Sequence, residues 1–272
     1  MINFRDFVKL RDFLYRKTGI FIDDKKHDQF TKKLVPYLEK NDYQNFRAFF
    51  HSIRFGNNQK ILQDVINLIT VNETYFYREK HQFDSLINEI LPRIVKDKRS
   101  NDPIRILCAP SSSGEEPYTI ALNLLDENEI LSNNDIEIVA IDIDSKIINK
   151  AHDGVFNKRS VQFIPNHLLN EYFDFYDGSY HIVDMLKNAI NFKVINVMDK
   201  SQMSKLGKFD IIFSRNMLIY FDDESRREVG VTFYDILKPR GYVFLGHADK
   251  MSRISSLFST ARVGKSLVYI KG

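Results

Sequence analysis

Cysteine occurs once, at Cys108, and tryptophan is absent from the 272 residues. A single thiol excludes an internal disulfide framework and any zinc or iron–sulfur centre built on cysteines, and scarce thiols suit a reducing compartment. Long hydrophobic runs are missing as well. The N-terminal stretch MINFRDFVKLRDFLYRK carries a charge every few residues, and the most apolar windows, IEIVAIDI and FDIIFSRNMLIYF, are broken by Asp142, Arg215 and Asn216. Neither a secretory signal nor a membrane span is expected, and a cytoplasmic location is. An excess of one charge is also lacking: 39 Lys and Arg against 36 Asp and Glu leave +3, too little for a chain that lives on nucleic-acid phosphate or anionic lipid. Nucleic acid and membrane insertion are therefore not expected. What remains is a globular composition, 43% hydrophobic and 28% charged with 22 Phe and 13 Tyr, which excludes a disordered or fibrous chain. At this length about three-quarters of the unfolded surface can be buried.

Residues 4–70 place apolar side chains at helical spacing, as in Phe4, Phe7, Val8 and later Ile61, Leu62, Val65, Ile66, Ile69, with polar punctuation at Thr18-Gly19, Asn41-Asp42 and Gly56-Asn57-Asn58. An all-helical N-terminal domain is predicted, taken as residues 1–90, with 91–103 as the linker. From 104 to 272 short strand-like runs alternate with helical ones: Ile104–Cys108 then Glu115–Leu125, Ile136–Ile141 then Ser145–His152, Phe209–Ser214 then Asp223–Leu237, and a close through Tyr242–Leu245 and Leu267–Ile270. That alternation predicts an α/β fold with a doubly wound, mostly parallel sheet. Residues 154–191 interrupt it, and Phe173–Tyr176, Asp177-Gly178 and Ser179–Val183 read there as a hairpin in a small inserted β subdomain, since Asp-Gly supplies the two positive φ angles of a type I′ turn.

The first α/β unit, RILCAPSSSGEEPYTIALNLL (105–125), is a buried strand, a turn of small residues and a helix with Pro117 near its start. Such a turn lets backbone approach a ligand, and the helix offers free N–H donors to it. A single glycine and Pro110 disfavour a dinucleotide fingerprint, and no Lys-Ser/Thr follows to make a P-loop. Glu115 and Glu116 would repel a pyrophosphate but suit a ligand carrying positive charge; alternatively they only complement the helix dipole. Asp142 ends the second strand, where an acid accepts hydrogen bonds from ribose hydroxyls. The other use of an acid there is a helix N-cap, a role that Asp144 fits better. Together these features indicate an adenosine-containing ligand, and the missing glycines favour S-adenosylmethionine over NAD.

The set TVNETYFYRE (70–79), CAPSSSGEEPYTIA (108–121), AIDIDSKIINKA (140–151), FDIIFSRNMLIYFD (209–222) and LKPRGYVFLGHAD (237–249) closely resembles the CheR-type chemotaxis receptor methyltransferases, in order and over nearly the whole chain. The resemblance implies a class I methyltransferase core behind a helical domain, S-adenosylmethionine as cofactor with S-adenosylhomocysteine as product, and transfer of methyl groups to glutamates in the cytoplasmic helical region of chemoreceptors. It also implies roles by matched position. Asn72, Thr74 and Arg78 fall on the family's NxTxFFR segment, which lines the cofactor and acceptor site, with Tyr77 in place of a phenylalanine. Glu116 matches a cofactor-contacting glutamate and Asp142 the ribose acid. Asn196 and Val197 match positions flanking the adenine, while Arg215, Asn216 and Tyr220 match the motif beside the transferred methyl. The usual GHSE stands here as Gly246-His247-Ala248-Asp249 and KPGG as Lys238-Pro239-Arg240-Gly241, departures expected to lie on the rim. Arg78 and Tyr220 are the catalytic candidates; outside the motif they would be a surface arginine and a half-buried tyrosine.

Methylating a carboxylate needs no general base, because a glutamate of pKa about 4.3 is already ionised at neutral pH. No His, Cys or metal cluster is required, and His247 and Cys108 are expected to be structural. The basic residues Lys25, Lys26, Lys32, Lys33, Arg47 and Arg54 sit where the family's receptor-facing helix lies, although VPYLEK replaces its more basic second half. The abrupt turn at Asp177-Gly178 predicts recognition that does not depend on a receptor C-terminal tether, because tail-binding members carry a longer loop. Two other functions stay open at this level: a non-catalytic S-adenosylmethionine-binding signalling module, and a methyltransferase with another acceptor.

Overall fold

The computed structural model describes residues 2–56, 59–98, 102–127, 133–249 and 257–272. The chain begins with helices α1 (Phe4–Thr18), α2 (His27–Lys40), α3 (Phe46–Phe55) and α4 (Gln59–Ile69). Asn3 and Asn45 cap α1 and α3 by accepting hydrogen bonds from Asp6 N and Ala48 N. Gly19 ends α1 at φ +71°. The apolar stripes converge on one core of Phe7, Leu10, Leu14, Phe30, Leu34, Phe49 and Val65. Of the expected punctuation between α3 and α4, Asn57 and Asn58 lie outside the described residues.

Behind this domain runs a helical stretch, α5 (Lys80–Ser85), a π-helical turn at Leu86–Ile90 and α6 (Leu91–Asp97). The α/β part then gives β1 (Ile104–Cys108), α7 (Glu115–Asp126), β2 (Ile136–Asp142) and α8 (Ser145–Asp153). The insertion follows as β3 (Val155–Phe156), α9 (Lys158–Val161), α10 (Asn166–Tyr172), β4 (Phe173–Tyr176), β5 (Ser179–Ile182) and α11 (Asp184–Ala189). The core resumes with β6 (Ile190–Val194), α12 (Lys200–Lys205), β7 (Phe209–Ser214), α13 (Asp223–Ile236), β8 (Leu237–Leu245), β9 (Phe258–Val263) and β10 (Ser266–Lys271). The seven-stranded sheet has the order β6-β2-β1-β7-β8-β10-β9. β6, β2, β1, β7 and β8 are parallel, and β10 runs antiparallel to β8 and β9. The chain leaves β1 toward β2 on one side and returns as β7 on the other, so a topological switch point opens at the carboxyl ends of β1 and β7.

The structure differs from expectation in two places. Of the segment 91–103, read as the linker with a first half that could still be helix, Leu91–Asp97 is helix, and residues 99–101 lie outside the described residues. Phe83, Leu86, Ile87, Ile90 and Leu91 continue an i, i+3, i+4 apolar pattern that buries them with Ile104, Ile106, Phe213 and Phe244, so the stretch after residue 76 shares the core of the sheet rather than that of α1–α4. Strand β9 was not expected, because FSTARV offers only Phe258 and Val263 to the interior. In the insertion, β3-β5-β4 form an antiparallel sheet, and the hairpin turns through Asp177 at φ +50° and Gly178 at φ +71°, as a type I′ turn requires. Among the described residues no helix is long and apolar enough to cross a membrane.

Candidate functional site

A cleft of about 250 Å³ opens at the switch point, walled by the turn after β1, the ends of β2 and β7, residues 195–197 after β6, and Thr18, Ile20 and residues 69–75 with Arg78 from the N-terminal side. Asn72, Thr74, Arg78, Glu116, Asp142, Asn196, Val197, Arg215, Asn216 and Tyr220 all line it. The fold thus gathers into one cavity residues drawn from five separated sequence segments.

At one end, the Asp142 carboxylate is buried and accepts backbone N–H bonds from Ser112 at 3.0 Å and Asp144 at 2.9 Å. Burial pushes its pKa up to about 6, against the pull of those two amides. The Ile143 amide adds to that pull, and a carboxylate has room for about four hydrogen bonds, so acceptor capacity remains for a donor in the cleft. Glu116 lies in the first turn of α7, buried, with Oε2 on Arg215 Nη1 at 3.0 Å. Burial raises its carboxyl above the ordinary range while Arg215 pulls it down. Among the described residues its Oε1 has no partner within hydrogen-bond geometry, and neither have Ser112 Oγ and Arg215 Nε, while the buried Cys108 thiol lies against the same Glu116 carboxylate. Orphaned polar atoms on three lining residues leave hydrogen-bonding capacity for a polar ligand or for water. An unpaired carboxylate oxygen fits an ammonium, and the free lone pairs of Asp142 fit ribose hydroxyls, so the residues present suit the amino-acid and sugar parts of S-adenosylmethionine.

Arg215 also reaches backward: its guanidinium donates to the Arg78 carbonyl and packs over the Phe83 ring at 5.2 Å. It therefore ties the end of β7 to the segment 70–79, which crosses the mouth of the cleft in irregular backbone. Thr70 Oγ1 and Asn72 Nδ2 both donate to Asp144 Oδ2, at 2.6 and 2.8 Å, while Oδ1 of the same carboxylate caps α8 through Lys146 N and Ile147 N. Asn72 thus spends its amide donor on anchoring the segment. Tyr77 at φ +60° and Glu79 at φ +56° flank Arg78 in the left-handed region, strained for such side chains. Arg78 Nη1 donates to Glu73 O at 2.9 Å, and its guanidinium lies 5.7 Å from the Tyr75 ring. Tyr220 is partly buried, which raises its phenol above the ordinary value, and the nearby positive charge of Arg78 opposes the rise.

Asn196, after β6, is committed too: its Nδ2 donates to Lys17 O at 2.7 Å and its Oδ1 accepts from Met198 N at 3.0 Å. Its side chain holds the end of α1 against the core, and buried Val197 lines the cleft. The expectation that the GHAD departure lies on the rim is corrected at Asp249, which is buried and accepts from Asn216 N, Gly246 N and Ile219 N. A carboxylate at the last position of a disrupted motif, after the turn Gly246–Ala248, gives no periodic signal of burial. Asp144 and the pair Thr18 and Ile20 were missed as well; the first was read only as a cap, and the others belong to a helix end with no sequence mark of a distant cleft.

Residues 5–70 match the family model for the CheR methyltransferase all-alpha domain, and residues 72–266 that for the CheR methyltransferase SAM binding domain. The chain is 47% identical over 267 residues to chemotaxis protein methyltransferase 2 of Vibrio cholerae, covering 98% of this chain and 92% of that protein. It is 33% identical over 269 residues to the chemotaxis protein methyltransferase of Borreliella burgdorferi, covering 96% and 90%. Against that of Escherichia coli the identity is 29% over 257 residues, covering 93% and 87%.

Proposed function

The chain belongs to the CheR methyltransferase family, and on that premise we propose that it methylates glutamate side chains in the cytoplasmic helical region of bacterial chemoreceptors. It is a chemotaxis methyltransferase whose cofactor is S-adenosylmethionine. The observation that supports the glutamate acceptor is the meeting in one cleft of Arg78 and Tyr220 with Glu116 and Asp142.

When bound, S-adenosylmethionine supplies a methyl carbon made electrophilic by its sulfonium. Asp142 would take the ribose hydroxyls on its remaining acceptor capacity, and Glu116 Oε1 would take the ammonium. Arg215, spent on Glu116 and on the Arg78 carbonyl, fixes these groups relative to the acceptor end. Arg78 holds the incoming carboxylate by charge and Tyr220 orients it or crowds the sulfonium, so that the nucleophilic oxygen is aligned and water is excluded. No residue need accept a proton, since the acceptor arrives ionised. Asn72, Thr74, Asn196, Val197 and Asn216 complete the walls. We assign the helical domain to residues 1–70 and place recognition of the receptor there and on the cleft rim, without need of a C-terminal tether, because the hairpin of the insertion spans two residues and leaves little loop to clasp a peptide.

Incubation of the protein with labelled S-adenosylmethionine and receptor-containing membranes, followed by mild base, tests this. Base-labile methyl ester on receptor glutamates is the expected product. Label in a base-stable form, or on no receptor, would refute the acceptor assignment, and full methylation of receptors only when their last residues are intact would refute the tether clause.

A further inference from the structure

The segment Arg215–Phe221 carries two of the side chains at the methyl-transfer end of the cleft, yet between β7 and α13 its only regular turn is the 3₁₀ turn Leu218–Tyr220, and Asn216 sits at φ +57°. Backbone of this kind has few partners of its own and takes its shape from outside contacts. Its start is held by Arg215 on Glu116, and its end by Tyr220 O, which accepts from Phe21 N at 2.8 Å. The middle is held by Asp249. This carboxylate is 7% exposed. One oxygen accepts from Asn216 N and from Gly246 N at 3.2 Å, and the other accepts from Ile219 N at 3.2 Å. Gly246 points to the same spot from the end of β8: a Cβ there would stand 2.7 Å from Asn216 N and 3.0 Å from Asn216 Cγ, closer than atoms can pack. Asp249 and Gly246 together clamp the residue that lines the cleft, while neither lines it.

We propose that Asp249 is a positioning residue for methyl transfer: its carboxylate locks the backbone of Asn216 and Ile219 so that Asn216 and Tyr220 face the cleft, without touching either substrate. The proposal rests on the methyltransferase function given above. Asp142 is held by Ser112 and Asp144, and Arg215, the partner of Glu116, is tied also to the Arg78 carbonyl, neither through Asp249, so loss of the clamp is expected to act on turnover and to spare cofactor binding. A carboxylate that served stability alone would lower both together.

The test uses the full chain, S-adenosylhomocysteine as the binding probe, and labelled S-adenosylmethionine with receptor-containing membranes for turnover. Asp249→Asn turns one acceptor oxygen into a donor facing backbone N–H groups. Its kcat is expected to fall at least tenfold, with KM for the receptor and Kd for S-adenosylhomocysteine each within threefold of wild type. Asp249→Glu keeps the carboxylate and is expected to recover at least a third of wild-type turnover, and Gly246→Ala, which displaces Asn216 from the other side, to lose turnover in the same pattern. Turnover of Asp249→Asn within threefold of wild type, a loss matched by loss of cofactor binding, or an Asp249→Glu no better than Asp249→Asn overturns the proposal. Should Asp249→Asn fail to fold, the other two variants decide by the same split between kcat and Kd. A wild-type protein that binds S-adenosylhomocysteine but transfers no methyl group defeats the functional assignment itself, a result separate from any difference among variants, and takes this proposal with it.

Discussion

Asp142 and Glu116 are carboxylates in one cleft with opposite needs. Asp142 is pushed up to about 6 by burial, from an ordinary value near 3.9, so the free protein holds a proton there near pH 6. A folded-state pKa above the unfolded one means that the contribution of this group to stability is fully present below about pH 4 and is lost as pH rises through about 6. On the proposed reading, hydroxyl donors from the cofactor favour the ionised form, so binding at pH 6 is expected to expel about half a proton and at pH 8 almost none. Calorimetry with S-adenosylhomocysteine in buffers of different ionisation enthalpy reads this directly; proton release that persists in Asp142→Asn would assign it to another group. Glu116 is bound to Arg215 through one oxygen and leaves the other for the ligand. Glu116→Gln keeps a neutral hydrogen bond to Arg215 but loses the charge-assisted bond to an ammonium, about 1.5–3 kcal/mol, and should weaken S-adenosylhomocysteine by roughly 10- to 100-fold. Unchanged affinity would place the ammonium elsewhere. Alanine is the worse probe, because it strands a buried guanidinium.

At the scale of elements, the segment 70–79 shows what a sequence can and cannot disclose. Its motif marked Asn72, Thr74 and Arg78 for the site, and all three line the cleft. The means by which it is held were not legible, since they lie in Asp144, 72 residues beyond Asn72, and in a left-handed backbone at Tyr77 and Glu79 that non-glycine letters do not advertise. The same division recurs elsewhere. Local chemistry gave the Asp-Gly hairpin, the cap at Asp144 and the glycine stop of α1, because turns and caps are decided by neighbours in sequence. Long-range pairing decided the rest: β9 exists because β10 offers it an edge, and Asp249 is buried because a loop 30 residues away presents N–H groups. Tyr77 adds a test within the segment. Its ring is buried, its hydroxyl has no partner among the described residues, and burial drives the phenol well above its ordinary pKa. Removing an unsatisfied buried hydroxyl relieves about 1–3 kcal/mol of desolvation, so Tyr77→Phe should be more stable to denaturant, with unchanged m-value and turnover. A loss of stability would mean that the hydroxyl has a partner after all.

For the molecule as a whole, the cleft exists only because two bodies meet. The helical domain reaches the core at both ends of the cavity: Gln63 Nε2 donates to Ile143 O at 2.7 Å and Asn67 Nδ2 to Ser145 Oγ at 3.0 Å on the α4 side, while Tyr15 Oη donates to Asp222 Oδ2 at 2.7 Å and Ile20 forms a β-bridge with Phe221 on the α1 side. Thr18 and Ile20 thereby become walls of a site whose other parts run from Ile69 to Phe221. The contact turns on Gly19. Its φ of +71° is one that an L side chain adopts at a cost of about 1–2 kcal/mol, and a Cβ there would stand 2.8 Å from Phe221 Cε1 and 3.0 Å from Met198 Cγ and Sδ. Phe221 is buried within the core of the sheet and cannot swing away, so in Gly19→Ala the end of α1 must lift. We expect the affinity for S-adenosylhomocysteine to fall about tenfold, equivalent to about 1.4 kcal/mol, and amide exchange to quicken at Gly19 and Phe21, whose N–H groups are bonded to Tyr15 O and Tyr220 O, while β1, β2 and β7 stay protected. If Gly19→Ala binds the product as tightly as wild type, the end of α1 does not shape the cofactor cavity, and the helical domain serves the receptor alone.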